Sequence, residues 1–126
     1  MTEEDREAIK KVVEEAYIKG IHESQDRNKV ESGFHQDFSM FVLGENDVEK
    51  VNVDEWFNRI AEMIKTNPEL WKSKTTYNLR LMDVTRNAAM VKLDVFKGTT
   101  HFSTDYMLLY KFREGWKIVS KTFTVP

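Results

Sequence analysis

The sequence predicts an α+β domain in which helices come first and an antiparallel meander of strands follows. Residues 75–84, 88–96, 102–112 and 116–125 are β-like runs separated only by Arg86-Asn87, Gly98 and Glu114-Gly115. The first half instead places apolar residues at three- and four-residue steps, the period of an amphipathic helix. A sheet with one apolar face must bury it, and the preceding helices are the available cover.

The first helix carries Ile9, Val12, Val13, Ala16, Tyr17, Gly20 and Ile21 on a single stripe. Thr2 followed by Asp5 forms a capping signal, and acidic residues crowd the first turn, where the helix dipole favours them. A second, shorter helix is predicted over 25–34, with Val30 and Phe34 facing inward. Residues 38–43 read as a strand, stopped by Gly44-Glu45-Asn46-Asp47. Asn52 with Glu55 makes a capping box for a third helix bearing Val53, Trp56, Phe57, Ile60, Met63 and Ile64. It ends before Asn67-Pro68, because the residue preceding proline avoids helical geometry. Residues 69–74 form a polar connector containing Trp71, either a lid over the interior or a surface residue.

In the run 102–112, one face holds Phe102, Thr104, Tyr106, Leu108, Tyr110 and Phe112, and the other Ser103, Asp105, Met107, Leu109 and Lys111. Neither is wholly polar, whereas a half-solvated sheet alternates cleanly. The outer face of the sheet is therefore expected to be covered by a second copy, giving a homodimer. Asp105 is expected to form a cross-strand ion pair with Lys121 or Lys92. His22 reads as a helix C-terminal residue, and His101, beside the Gly98 turn, as solvated.

Composition narrows the function classes. At 126 residues the chain is read as one domain, 1–126. A net charge of −2 argues against a general nucleic-acid binder, which needs a basic footprint. No run approaches the roughly 20 apolar residues that span a bilayer. The acidic start lacks the apolar core of a signal peptide, so the cytoplasm is the expected location. Zero cysteines exclude disulfides and thiolate chemistry. The three histidines lack metal-ligand spacing, there is no Gly-x-Ser-x-Gly elbow, and the five glycines are dispersed. Neither a metal nor a cofactor is expected.

Four segments carry a family resemblance: Gly33-Phe34-His35-Gln36-Asp37-Phe38, the Trp56-bearing helix, Ser103-Thr104-Asp105-Tyr106, and Gly115-Trp116-Lys117-Ile118-Val119-Ser120-Lys121. Over nearly the whole chain the sequence resembles the "putative lumazine-binding" (SnoaL-like) branch of the NTF2-like superfamily. That resemblance implies N-terminal helices packed on a strongly curved, mainly antiparallel sheet, with a conical pocket between them and pairing through the sheet's outer face. The fold hosts enzymes and passive modules alike. Ketosteroid isomerase, an enzyme of this shape, uses a carboxylate base with an oxyanion hole of tyrosine and protonated aspartic acid. Aligned on it, Tyr17 takes the tyrosine position, Val42 the base and Leu108 the second acid, so that mechanism is not expected.

Three functions remain open. The first is a binding module for a small hydrophobic or flat aromatic ligand, with Tyr17, Phe38, Met40, Trp56, Met63 and Tyr106 lining the pocket. Tyr17 must find a hydrogen-bond partner there, in the ligand or in a backbone carbonyl. The second is a cofactor-independent isomerase, dehydratase or cyclase using His35 and Asp37 with Tyr17. A spacing of two on extended backbone gives that pair one face; the same residues equally serve to fix the turn into the strand. The third is a structural or protein-interaction module whose cone is closed by Met40, Met63 and Trp56.

Overall fold

The computed structural model describes residues 2–126. Helix α1 (Glu3–Val12) starts where Thr2 Oγ1 accepts the Asp5 amide at 3.0 Å. It continues directly into a π-helical segment, Val13–Glu23. Its i→i+5 bonding brings residues five apart close to one face, and seven of its eleven residues are buried. His22, in the last turn as its spacing predicts, consequently turns over Tyr17 into the interior, at 3% exposure. Helix α2 (Arg27–Gly33) follows, capped by Asp26.

Strand β1 (Phe34–Leu43) begins four residues earlier than the sequence predicts, so Phe34 opens the strand and does not close the helix. A short hairpin partner, β2 (Val48–Val51), precedes α3 (Val53–Thr66), which Asn52 caps through the Glu55 amide at 2.9 Å. The predicted polar connector contains a five-residue helix, α4 (Pro68–Lys72). Pro68 opens it, where a missing N–H costs nothing, and Asn67 caps it. The meander comprises β3 (Thr75–Thr85), β4 (Ala88–Lys97), β5 (Thr100–Phe112) and β6 (Gly115–Thr124).

All six strands form one sheet in the order β2-β1-β6-β5-β4-β3, with β1 parallel to β6 and the other pairs antiparallel. Val91, Leu93, Val95, Met107, Leu109 and Ile118 line its inner face, in one core with Ile9, Val13, Tyr17 and Ile21 from the N-terminal helices and Trp56 and Ile60 from α3. This is the α+β architecture read from the sequence. Among the described residues, no helix is long and apolar enough to cross a membrane.

Two bulges decide which side chains enter the interior. Between β4 and β5 the register passes from Val95–Ser103 to Phe96–His101, leaving Phe102 without a partner. Between β5 and β6 it passes from Leu108–Ser120 to Leu109–Ile118, leaving Val119 over. Trp116 and Ile118 point inward before the second bulge, and Lys121 does so after it. Along β5 the inward set is Ser103, Asp105, Met107 and Leu109. Tyr106 is therefore not a pocket residue: it lies on the outer face at 41% exposure, with the Lys92 ammonium 5.3 Å from its ring. Leu108 is likewise outside, so the acid offered to the interior is Asp105.

Candidate functional site

The interior contains a polar cluster built on Tyr17, Asp105 and Lys121. The Tyr17 phenol donates a short hydrogen bond to Asp105 Oδ2, an acceptor the sequence analysis did not consider. Lys121 Nζ lies 3.7 Å from Asp105 Oδ1, an ion pair too long for a hydrogen bond. This is the pairing the strand pattern predicts, with Lys121 and not Lys92 as the partner. Asp105 and Lys121 are diagonal on the ladder, since Asp105 faces Phe123 and Lys121 faces Met107. Long side chains span that diagonal. The ammonium also sits 4.7 Å from the Trp56 ring centre and 4.6 Å from that of Phe123. Burial, then the Asp105 charge, pushes the Tyr17 phenol well above its ordinary pKa. Burial pulls Lys121 downward against the opposing pull of Asp105. The phenol therefore stays protonated, with its proton already committed to Asp105.

A second group lies at the end of β4. Lys97 is 1% exposed, its Nζ bonded to Thr75 Oγ1 at 3.2 Å and 3.9 Å from the Trp71 ring centre. The bulged Phe102 closes over the same ammonium at 5.2 Å. His22 stacks on Trp71 at 5.8 Å and 19° and meets Phe102 edge-on. Trp71 is thus a cover over the interior. Burial lowers the Lys97 pKa to about 8. Burial, followed by the charges of Lys97 and Lys121, drives His22 well below its usual value, so its ring is neutral. Among the described residues, four buried polar atoms have no hydrogen-bond partner: both His22 nitrogens, Ser103 Oγ and Asp105 Oδ1.

Of the predicted pocket residues, the structure brings Tyr17, Phe38, Met40 and Trp56 together. All are 0–4% exposed, and Trp56 stacks on Phe38 at 5.7 Å. Met63, by contrast, is 37% exposed on α3. His35 and Asp37 do not join Tyr17. His35 Nδ1 accepts the Asp37 amide at 3.0 Å and its ring stacks on Phe112, while the Asp37 carboxylate is 84% exposed. They fix the start of β1, as the second sequence reading allowed, and a His-Asp base acting on an interior ligand has no geometric support. His101 is held at the turn by the Ser103 carbonyl and the Thr104 hydroxyl, each at 3.1 Å.

His35 instead lines a surface cleft of about 650 Å³ with Arg27, Phe34, Asn52, Asp54 and Lys117. Its cations are already engaged: Arg27 pairs with Asp54 at 2.6 Å, and Lys117 caps the Glu31 carbonyl at 3.3 Å. Unspent hydrogen-bonding capacity lies in the interior. Among the described residues, no three histidine or carboxylate side chains are grouped to hold a metal ion.

Sequence reasoning missed His22 and Lys97. Lys97 stands at an inward position of its strand, an alternation the sequence does display, but a lysine beside a glycine turn reads as solvated. His22 carried no signal, because α-helical spacing hides what π-helical spacing brings inside.

The geometry can be set beside known proteins. Three NTF2-like proteins of unknown function share the fold. The Silicibacter pomeroyi DSS-3 protein is 19% identical over 100% of both chains, with a TM-score of 0.78. That of Shewanella baltica OS155 is 20% identical over 100% of this chain and 98% of its own, at 0.74. That of Methylobacillus flagellatus KT is 19% identical over 100% and 95%, at 0.73. At such identities the likeness speaks to the fold alone. No curated protein matches the sequence. The family profile described as "Putative lumazine-binding" matches residues 4–124. Because that match leaves out only the first three and last two residues, the chain belongs to the family so described, and its fold is the one these NTF2-like proteins share.

Proposed function

We propose that this protein is a small-molecule binding module whose ligand lodges between the sheet's inner face and the helices, beneath Trp71. One observation carries the reading: both His22 nitrogens and Ser103 Oγ, buried without a hydrogen-bond partner, lie in an aromatic-walled interior. A buried polar group left unsatisfied costs about 1–3 kcal/mol, and native interiors hold few. Several in one place describe a surface built to be completed by a guest. The family description points the same way.

A second reading is a structural module with a filled cone, favoured by the near-complete burial of Tyr17, Phe38, Met40 and Trp56. In either case we assign the outer face of the sheet to a second copy. Leu81, Tyr106, Leu108 and Tyr110 are 41–54% exposed there. Met90, Lys92 and Asp83 share their ladder rows, so the face presents an apolar centre with both charge signs, as a self-complementary contact requires.

Native mass spectrometry of freshly purified protein tests the function. The expected result is a dimer mass carrying a small-molecule increment that Trp56→Ala loses while remaining dimeric. A bare dimer whose His22 ring resonances are unmoved by flat aromatic compounds would favour the filled module.

A further inference from the structure

The two buried lysines are not equivalent. Lys121 has Asp105 beside it, whereas no carboxylate among the described residues forms an ion pair with Lys97. The interior therefore holds two ammonium groups against one carboxylate. Charges removed from water are ordinarily paired, and an unpaired one is costly. The Lys97 ammonium has the Thr75 hydroxyl and the faces of Trp71 and Phe102, with Glu23 acting on it by charge alone. His22 presses on the same two rings and has no partner at either nitrogen. A cation and an uncommitted imidazole thus converge beside two aromatic faces. Those are the elements of a site for an acid with a flat apolar body.

The local backbone assembles this corner deliberately. The π-helical segment brings His22 inward, the β4–β5 bulge releases Phe102 from the ladder, and the short α4 supplies Trp71 as cover. We infer that the interior takes a small planar organic acid, its carboxylate between Lys97 Nζ and His22 and its apolar body against Trp71 and Phe102. This deepens the proposed binding function and rests on it. A neutral molecule of the same shape is discriminated against because it leaves Lys97 without a counter-ion.

Benzoate and benzamide, nearly identical in shape and different in charge, test this on the full chain at pH 7. The side-chain resonances of His22 and the Trp71 indole report occupancy. Benzoate should bind at least tenfold more tightly than benzamide. Lys97→Met should erase that preference, and Lys97→Arg should keep it. If Lys97→Met does not fold, the ratio measured on the unmodified protein decides alone. Equal affinities, with both sets of resonances shifting, overturn the anion assignment and leave the binding function standing. Resonances unmoved by either compound overturn both.

Discussion

Methionine in place of Lys97 should make the protein more stable at neutral pH. Burial lowers this lysine from 10.5 to about 8, opposed only by the charge of Glu23. At about 1.36 kcal/mol per pH unit, that gap corresponds to roughly 3 kcal/mol spent holding a charged lysine in the fold at pH 7. Methionine fills a similar volume with a flexible apolar chain. It removes the donor to Thr75 Oγ1, which returns about 1 kcal/mol. The expected net gain is roughly 2 kcal/mol. The sign with pH follows from the lowered value. Below pH 8 both folded and unfolded lysine are charged, and the full cost is present. As pH rises from 8 toward 10.5 the folded lysine is neutral while the unfolded one still binds its proton, so wild-type stability increases relative to the variant.

Urea denaturation of both proteins at pH 7 and pH 10 measures this as a double difference, in which the titration of all other groups cancels. Of the groups around Lys97, Glu23 acts on it by charge and His22, held well below its usual value, stays neutral. The variant's advantage should shrink by about 2 kcal/mol between the two pH values. A variant less stable than wild type at pH 7, or an advantage that ignores pH, would show that the Lys97 charge is already compensated and that no unpaired cation exists there.

Two further perturbations separate the paired lysine from the unpaired one and test the outer face. Asp105→Ala strands Lys121 and leaves the Tyr17 phenol without its acceptor, so urea denaturation should show a loss of about 3–5 kcal/mol. Tyr17→Phe removes only the donor and should cost about 1–3 kcal/mol; equal losses would mean the Lys121 pairing contributes nothing. Leu108→Asp places a charge at the centre of the exposed apolar rows and should convert a dimer to monomer in sedimentation. A variant that remains dimeric would locate the contact elsewhere.

The layered architecture was legible because it depends on period and punctuation alone. Strands separated by Gly98 and Glu114-Gly115 can only fold back on one another, and the capping signals at Thr2 and Asn52 both form in the structure. Strand faces were harder. Alternation is strict only while the ladder is, and each bulge inverts everything beyond it. Aligning on a distant enzyme put Leu108 where an acid should stand; the acid that does face Tyr17 is Asp105, three residues earlier and on the opposite face. His22 was illegible for a related reason: a π-helical segment contains no residue that marks it, and it forms because packing favours it.

Four positions where local rules fail lie around the same part of the interior. A π-helical segment, a bulge that frees Phe102, a lysine buried without a carboxylate and a histidine without a hydrogen bond are each unfavourable alone. Independent packing faults would scatter over a sheet of six strands; these converge on Lys97, His22 and Trp71. Stability alone would replace Lys97 by an apolar residue, the change expected above to strengthen the fold. A charge buried at net cost, in the place where several other costs accumulate, is accounted for by the bound acid proposed above. A site that evolved only to be filled has no need of an ammonium group beneath a tryptophan.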